Sequence, residues 1–554
     1  MASVLTSRLI PVLASRRALA VVAGISGVAL VLAGCATTSG DDSSDDDSII
    51  IGTTDTVTFL DPAGSYDNGS FAIMNQVFPF LFNTPAGSPD VEPDIAESGE
   101  FTDPTTFEVT LKSGLKWANG DDLTSSDVVF TFQRQLTIGA SGADNGNGPS
   151  SLLANLDSVD APDDLTVDFH LKSANDQTFE QVLSSPAGPI VDEEVFSADS
   201  ITSDADIVAA NAFAGQYTIT DYDLNKLVQF EAYDGYEGLL GAAQTTSVTL
   251  KYYTDSSNLK LDVQQGNIDV AFRSLSATDI EDLRSDDSVN VVDGPGGEIR
   301  YIVFNFATQP YGTDTDDADA DKALAVRQAA ADLIDREAIA TDVYKDTYTP
   351  LYSYVPDGLT GATTVLEDLY GDGDGGPDAD KAAATLEAAG VDTPIDLKLQ
   401  YVSDGHYGPS SADEYAAIKE QLESSGLFTV DLQSTEYATY SQERTQDAYP
   451  AYQLGWFPDF SDADNYLTPF FSEDNFLGNH FDDATVQEDL VTEYTTTDAD
   501  AREEAIEKTQ EDVAAQLPTL PLLQGSQVAV TGTDISGVTL DASFKFRYGF
   551  VSKS

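Results

Sequence analysis

The sequence predicts a mixed α/β protein, and three observations carry that expectation. Stretches with apolar residues at every second position recur between stretches with apolar residues three or four apart, the two periods of strand and helix. The composition is that of a folded chain, 41% apolar and 10% aromatic. At 554 residues the chain exceeds what one hydrophobic core usually holds, so two or three domains are expected.

The first ordered element should be a buried strand entered at Ile49-Ile50-Ile51, followed by a helix over Ser70 to Phe82. Phe107 to Leu111 and Thr166 to Leu171 alternate as strands do. Between them, Trp117-Ala-Asn-Gly120 signals a turn, and Thr124-Ser-Ser-Asp127 is a capping pattern for a helix over Val128 to Leu136. Further strands are expected at Gln216 to Thr220, Leu227 to Phe230, Val248 to Tyr253, Ile302 to Phe306 and Ile395 to Tyr401. A helix with an apolar stripe of Val326, Ala330, Leu333 and Ile334 precedes a second helix capped by Asp335. Another helix, Asp380 to Ala389, should stop at Gly390.

The N-terminus has the layout of an export signal: Arg8, Arg16 and Arg17, an uncharged run from Ala18 to Ala33, then Gly34-Cys35. The strongly apolar part is shorter than the roughly 20 residues a membrane span needs. Asp41 to Asp47 then reads as a solvated tether. Cys35 is the only cysteine, which excludes an internal disulfide and a thiolate metal site. Leu32-Ala33-Gly34-Cys35 resembles a lipoprotein lipobox, which implies diacylation of Cys35 and anchoring to the outer face of the cytoplasmic membrane. Ser15-Arg16-Arg17 leaves the choice between general and twin-arginine export open.

Acidic residues number 95 and basic ones 26; the three arginines before Cys35 removed, 23 basic residues remain and the net charge is −72. Nucleic acid is a poor partner for such a surface, because binding it requires cations to neutralise phosphates. Adaptation to salt and an ordinary acidic envelope protein both fit this balance.

Catalytic motifs are missing. There is no G-x-S-x-G elbow, phosphate-binding glycine loop, H-E-x-x-H or C-x-x-C. His170, His406 and His480 are far apart in sequence and read as surface or structural residues. The loop Gly371 to Asp380 lacks the fifth-position acid or amide of a calcium loop and has Ala383 where its bidentate Glu belongs, so it reads as a solvated turn. No catalytic residue, metal or cofactor is expected.

An ordered series of motifs resembles the family-5 solute-binding proteins, the oligopeptide- and dipeptide-binding subunits of ABC importers. It comprises Leu60-Asp61-Pro62, Pro93 to Ser98 with Phe107 to Arg134, Gly215-Gln-Tyr217 with Tyr233 to Gly238, and Asn305 with Val326 to Arg336. The resemblance implies a two-lobed periplasmic-binding-protein-like fold (type II, cluster C) with an extra inserted domain. By that mapping, 1–34 is the signal and 35–48 the tether. Residues 49–87, 196–297 and 517–554 form domain I, 88–195 the inserted domain II, and 298–516 domain III, the second ligand-binding lobe. Leu454-Gly455-Trp456-Phe457-Pro458-Asp459-Phe460 is similar to the family's W-x-x-D-[YF] stretch. The similarity implies that Asp459 meets a peptide α-ammonium beside Trp456, while the backbone of Gly455 and Phe457 bonds the peptide main chain. Long-peptide binders carry a cation just before this glycine, where this chain has Gln453 and Leu454, so the partner of a ligand carboxylate stays open.

The expected function is that of a monomeric, extracytoplasmic lipoprotein that captures peptides by hinge closure and delivers them to the permease subunits and ATPases of an importer. An oligosaccharide or other small solute on the same fold, or a peptide-sensing envelope lipoprotein without transport, are the competing readings. For the segment itself, the plainer reading makes Trp456 ordinary core and Asp459 a helix cap for the residues after it.

Overall fold

Strand-forming segments from distant parts of the chain assemble into two large sheets and a smaller antiparallel one. The computed structural model describes residues 48–554 except Ser274, Asp474 and Phe544. The signal, Cys35 and the tether before Ser48 lie outside the described residues.

The first lobe is built on a seven-stranded sheet in the order Val289–Gly294, Gln527–Gly532, Val270–Phe272, Ser48–Thr53, Ser247–Tyr252, Leu227–Ala232, Tyr217–Asp223. Ser48–Thr53 runs parallel to both of its neighbours, which buries Ile49 and Ile51 at the centre. The helix Asn68–Val77 packs Ile73, Met74 and Val77 into the same core. It stops earlier than the sequence pattern suggests. Phe78 is extended, at φ −99° and ψ 146°, because Pro79 disfavours helical backbone in the residue before it. Phe82–Asn83 is instead a short strand against Glu92–Pro93.

The smaller sheet is antiparallel, in the order Ala96–Asp103, Thr106–Leu111, Thr166–Leu171, Leu156–Asp163. Against it lies the helix Ser125–Ser141, longer than its sequence signal. Its capping box forms as expected: the Thr124 hydroxyl accepts from Ser126 N, and the Asp127 carboxylate accepts from Thr124 N at 2.9 Å. From this helix the fully buried Arg134 reaches Asp61 of the first lobe, donating to Oδ1 at 2.8 Å and also to Oδ2.

The second lobe carries a six-stranded sheet, in the order Tyr348–Pro350, Thr519–Gly525, Ile299–Phe304, Ala451–Trp456, Ile395–Val402, Phe428–Thr435. Thr519–Gly525 pairs antiparallel with Ile299–Phe304 and so belongs to this sheet. Caps anticipated from sequence close several helices here. Asp335 accepts from Ala338 N at 2.9 Å, and Gly390 ends Ala379–Ala389 in the left-handed region at φ 66°.

Two antiparallel segments join the lobes, Gly294 to Ile299 and Gln524 to Gln527. They run side by side, since Gly294 pairs with Gln527 in one sheet and Ile299 with Gln524 in the other. Their approach requires a glycine: a Cβ on Gly296 would lie 2.1 Å from the Gly525 carbonyl oxygen. Gly296→Ala will therefore force the two crossings apart. An overpacking cost of about 1–3 kcal/mol is expected, read as a lower midpoint in urea unfolding.

Candidate functional site

A cleft opens between the lobes as two adjoining chambers of about 450 and 430 Å³. Arg273, His406, Tyr407 and Phe457 line both and form the shared wall. Thr54 and Asp55 follow Ser48–Thr53, and Arg273 follows Val270–Phe272. The first lobe thus faces the cleft with the carboxyl ends of parallel strands, the usual position for ligands in open α/β sheets.

The second lobe contributes the end of Ala451–Trp456. Gly455, Trp456, Phe457 and Asp459 all line the smaller chamber. Ile299–Phe304 pairs with this strand as far as Trp456, whereas Ile395–Val402 pairs with it only at Ala451 and Tyr452. Among the described residues no strand covers that second edge over Gly455 and Trp456.

Asp459 is held by Asn465. The buried Asn465 Oδ1 accepts from the Trp456 indole at 3.0 Å and from the Asp459 backbone N at 2.9 Å, while its Nδ2 donates to the Asp459 carboxylate at 3.3 Å. From the first lobe, the Tyr66 hydroxyl donates to Asp459 Oδ1 across the cleft. Asp459 caps no helix; the turn Ala463–Tyr466 is capped by Asp462, which Arg502 grips with two bonds of 2.7 and 2.8 Å. Burial pushes the Asp459 carboxyl up to about 6, against the lowering effect of the bonds from Tyr66 and Asn465.

Trp456 is half-buried. Its ring meets Phe470 edge-on at 5.0 Å and Phe476 at 5.8 Å, so one part belongs to the core and another to the chamber wall. Gln453 is buried, with its amide nitrogen on Ser411 Oγ and its oxygen accepting from Val402 N; Leu454 is core. Neither faces the cleft as a cation would. Sequence reasoning missed Tyr66, Asn465, Arg273 and His406. His406 stacks on Tyr437 with centroids 3.4 Å apart, and burial lowers its pKa. Among the described residues, no group of three or more His, Cys, Asp or Glu could hold a metal ion, and no helix is long and apolar enough to cross a membrane.

Residues 90–478 match the model of the bacterial extracellular solute-binding proteins, family 5 (middle region). The chain belongs to this family. Its members bind solutes outside the cytoplasm and are not enzymes. The binding protein is 22% identical over 517 residues to the dipeptide-binding protein of Escherichia coli (strain K12), covering 88% of this chain and 90% of the relative. It is 24% identical over 497 residues to the dipeptide-binding protein DppE of Bacillus subtilis (strain 168), covering 87% of each. The solved structure of HbpA2 from Haemophilus parasuis superposes with a TM-score of 0.77 at 20% identity, over 92% of this chain and all of the other. That likeness establishes the two-lobed α/β fold with its additional domain.

Proposed function

We propose that this binding protein captures short peptides in the cleft and presents them to the membrane subunits of an ABC importer. One observation supports the reading most strongly: a half-buried carboxylate, Asp459, lies in the same chamber as a strand edge that, among the described residues, no other strand covers. An extended peptide added to that edge gains main-chain hydrogen bonds independent of its sequence. A carboxylate at one end fixes the peptide's polarity through a charge-assisted bond to its ammonium. Trp456 would pack against the bound chain, while Gly455 and Phe457 would supply the main-chain partners. The two side-by-side crossings suit hinge closure, driven by whatever affinity the solute has for the closed arrangement over the open one.

Only Trp117 and Trp456 contribute indole fluorescence, and Trp117 is fully buried in the core of the smaller sheet. A Trp117→Phe protein therefore reports on the chamber alone. Titration with a mixed dipeptide and tripeptide library is expected to shift its emission, whereas maltose and cellobiose oligomers should not. A response to the saccharides and none to peptides would overturn the peptide assignment and leave the fold standing.

Anchoring through Cys35 and delivery as a monomer complete the proposal. Metabolic labelling with radioactive palmitate should mark the full chain and leave a Cys35→Ser variant unmarked.

A further inference from the structure

The domain of the smaller sheet is joined to the two lobes in unlike ways. To the first lobe it is fixed by the fully buried pair of Arg134 and Asp61. To the second lobe it presents a polar seam. The Asn155 amide nitrogen donates to the Tyr494 hydroxyl at 3.2 Å and to the Asp176 carboxylate at 2.7 Å. Beside it, Gln177 N donates to the Tyr494 carbonyl at 3.1 Å. Burial, and then the neighbouring Asp176, push the phenol of Tyr494 up, so it stays a neutral hydroxyl. A cavity of about 270 Å³ opens along the seam, with Gln177 and Gln181 on one side and Ser461, Asp462 and Thr496 on the other. Protein interiors are packed without such gaps; a polar, loosely filled contact between domains is one that parts and re-forms.

The seam is tied to the binding cleft. Phe460, the residue after Asp459, packs on the core of the small domain. Tyr494 stands in the last turn of the helix Ala484–Thr495, next to the buried Glu493. Glu493 lies 3.4 Å from Arg502, and Arg502 grips Asp462, the cap of the turn that carries Asn465. Asn465 in turn holds Asp459. Within the second lobe, Tyr494 and Asp459 are therefore parts of one braced unit, and they approach or leave the other lobe together.

We infer that the small domain is a clasp for the shut cleft: Tyr494 docks on Asn155 and Gln177 when the second lobe closes over a solute, and leaves them when it opens. This rests on hinge closure as read above and gives the small domain a part in it. Tyr494 lines neither chamber, so it is a positioning residue that sets how long a solute stays. Solute enters the open arrangement, where the clasp is undone, so association does not depend on it. Dissociation requires the clasp to part and does depend on it.

The test is stopped-flow fluorescence on Trp117→Phe protein with Ala-Phe and Ala-Phe-Ala. Tyr494→Ala should speed dissociation at least tenfold and change association by less than twofold. Tyr494→Phe keeps the ring, loses the hydroxyl and should speed dissociation about fivefold, the worth of one hydrogen bond. Asn155→Ala should do the same, and the double variant should go no further than either single one, because both remove the same bond. Thermal melting of each variant close to that of the parent keeps the comparison clean. Dissociation unchanged in Tyr494→Ala overturns the inference, and so does a double variant in which the two single effects multiply. If neither peptide binds the parent protein, the peptide reading falls, and acrylamide quenching of Trp456 in the empty protein decides the clasp. Quenching at least twofold stronger in Tyr494→Ala then sustains it; equal quenching overturns it.

Discussion

Asp459→Asn will weaken binding of a peptide with a free amino terminus by at least about 30-fold, the lower end of what truncating one partner of a desolvated charge pair costs, roughly 2–5 kcal/mol. Asparagine keeps the size and the bond to Asn465 but offers no charge to an ammonium. The same carboxylate predicts a pH dependence. Its pKa is raised to about 6, so the ionised form that attracts an ammonium is complete well above pH 6 and disappears below it. Affinity should fall about tenfold between pH 7.5 and pH 5, and the Asn variant should lose that dependence. Stability moves the other way. Because the folded pKa lies above the unfolded value of 3.8, burying this carboxylate opposes folding above about pH 6 and ceases to do so as pH falls towards 3.8. Empty Asp459→Asn protein at pH 7.5 should therefore melt no lower than wild type. Calorimetry and melting curves at the two pH values check both statements, and a variant that binds as tightly as wild type would remove Asp459 from the site.

The largest effect on stability is expected from Asp61→Ala. Asp61 and Arg134 are both buried, and the carboxylate also accepts from Ala63 N at 3.0 Å and from Thr202 N at 2.6 Å. Removing it strands a guanidinium away from water and leaves two backbone donors unsatisfied, a loss of about 3–5 kcal/mol. Urea unfolding should show it as a lower midpoint. Removing both charges together, as Asp61→Leu with Arg134→Met, should recover much of the loss, because the desolvation of two ions disappears with them. Asp61 also begins the loop that carries Tyr66 towards Asp459, so the single variant is expected to bind peptide more weakly as well.

How much of this was legible in the sequence depended on where each residue lies. Thr166–Leu171 and the caps at Thr124, Asp335 and Gly390 follow local rules, and the chain obeys them. Ala96–Asp103 and Leu156–Asp163 escaped notice because they are the outer strands of their sheet. Both are acidic, broken by register shifts, and contain Gly99 or Pro162, features that edge strands tolerate and central strands do not. Thr519–Gly525 is buried throughout and shows no alternation, so its sequence does not say which sheet it joins.

At the site, Trp456 and Asp459 were accessible through a family motif within one segment. Tyr66, Arg273 and His406 come from three other segments, and only the folded cleft brings them to one place. Asn465 lies six residues beyond Asp459 in the same loop, yet its role depends on a tertiary turn that returns it beneath the indole. The one local clue for Arg273 was its position at the end of a short apolar strand, where open α/β sheets place ligands.

All six strands of the second sheet come from the uninterrupted stretch 299–525, and its first residue, Ile299, pairs with Gln524, one residue from its last. That stretch is thus a cassette whose two termini emerge together, with most of its apolar interior supplied from within. Produced as a separate polypeptide it should fold, and the remainder of the chain could be rejoined across the gap by a short glycine-rich bridge. Such halves, mixed in a tube, would allow solute-driven reassociation to be measured as a bimolecular event.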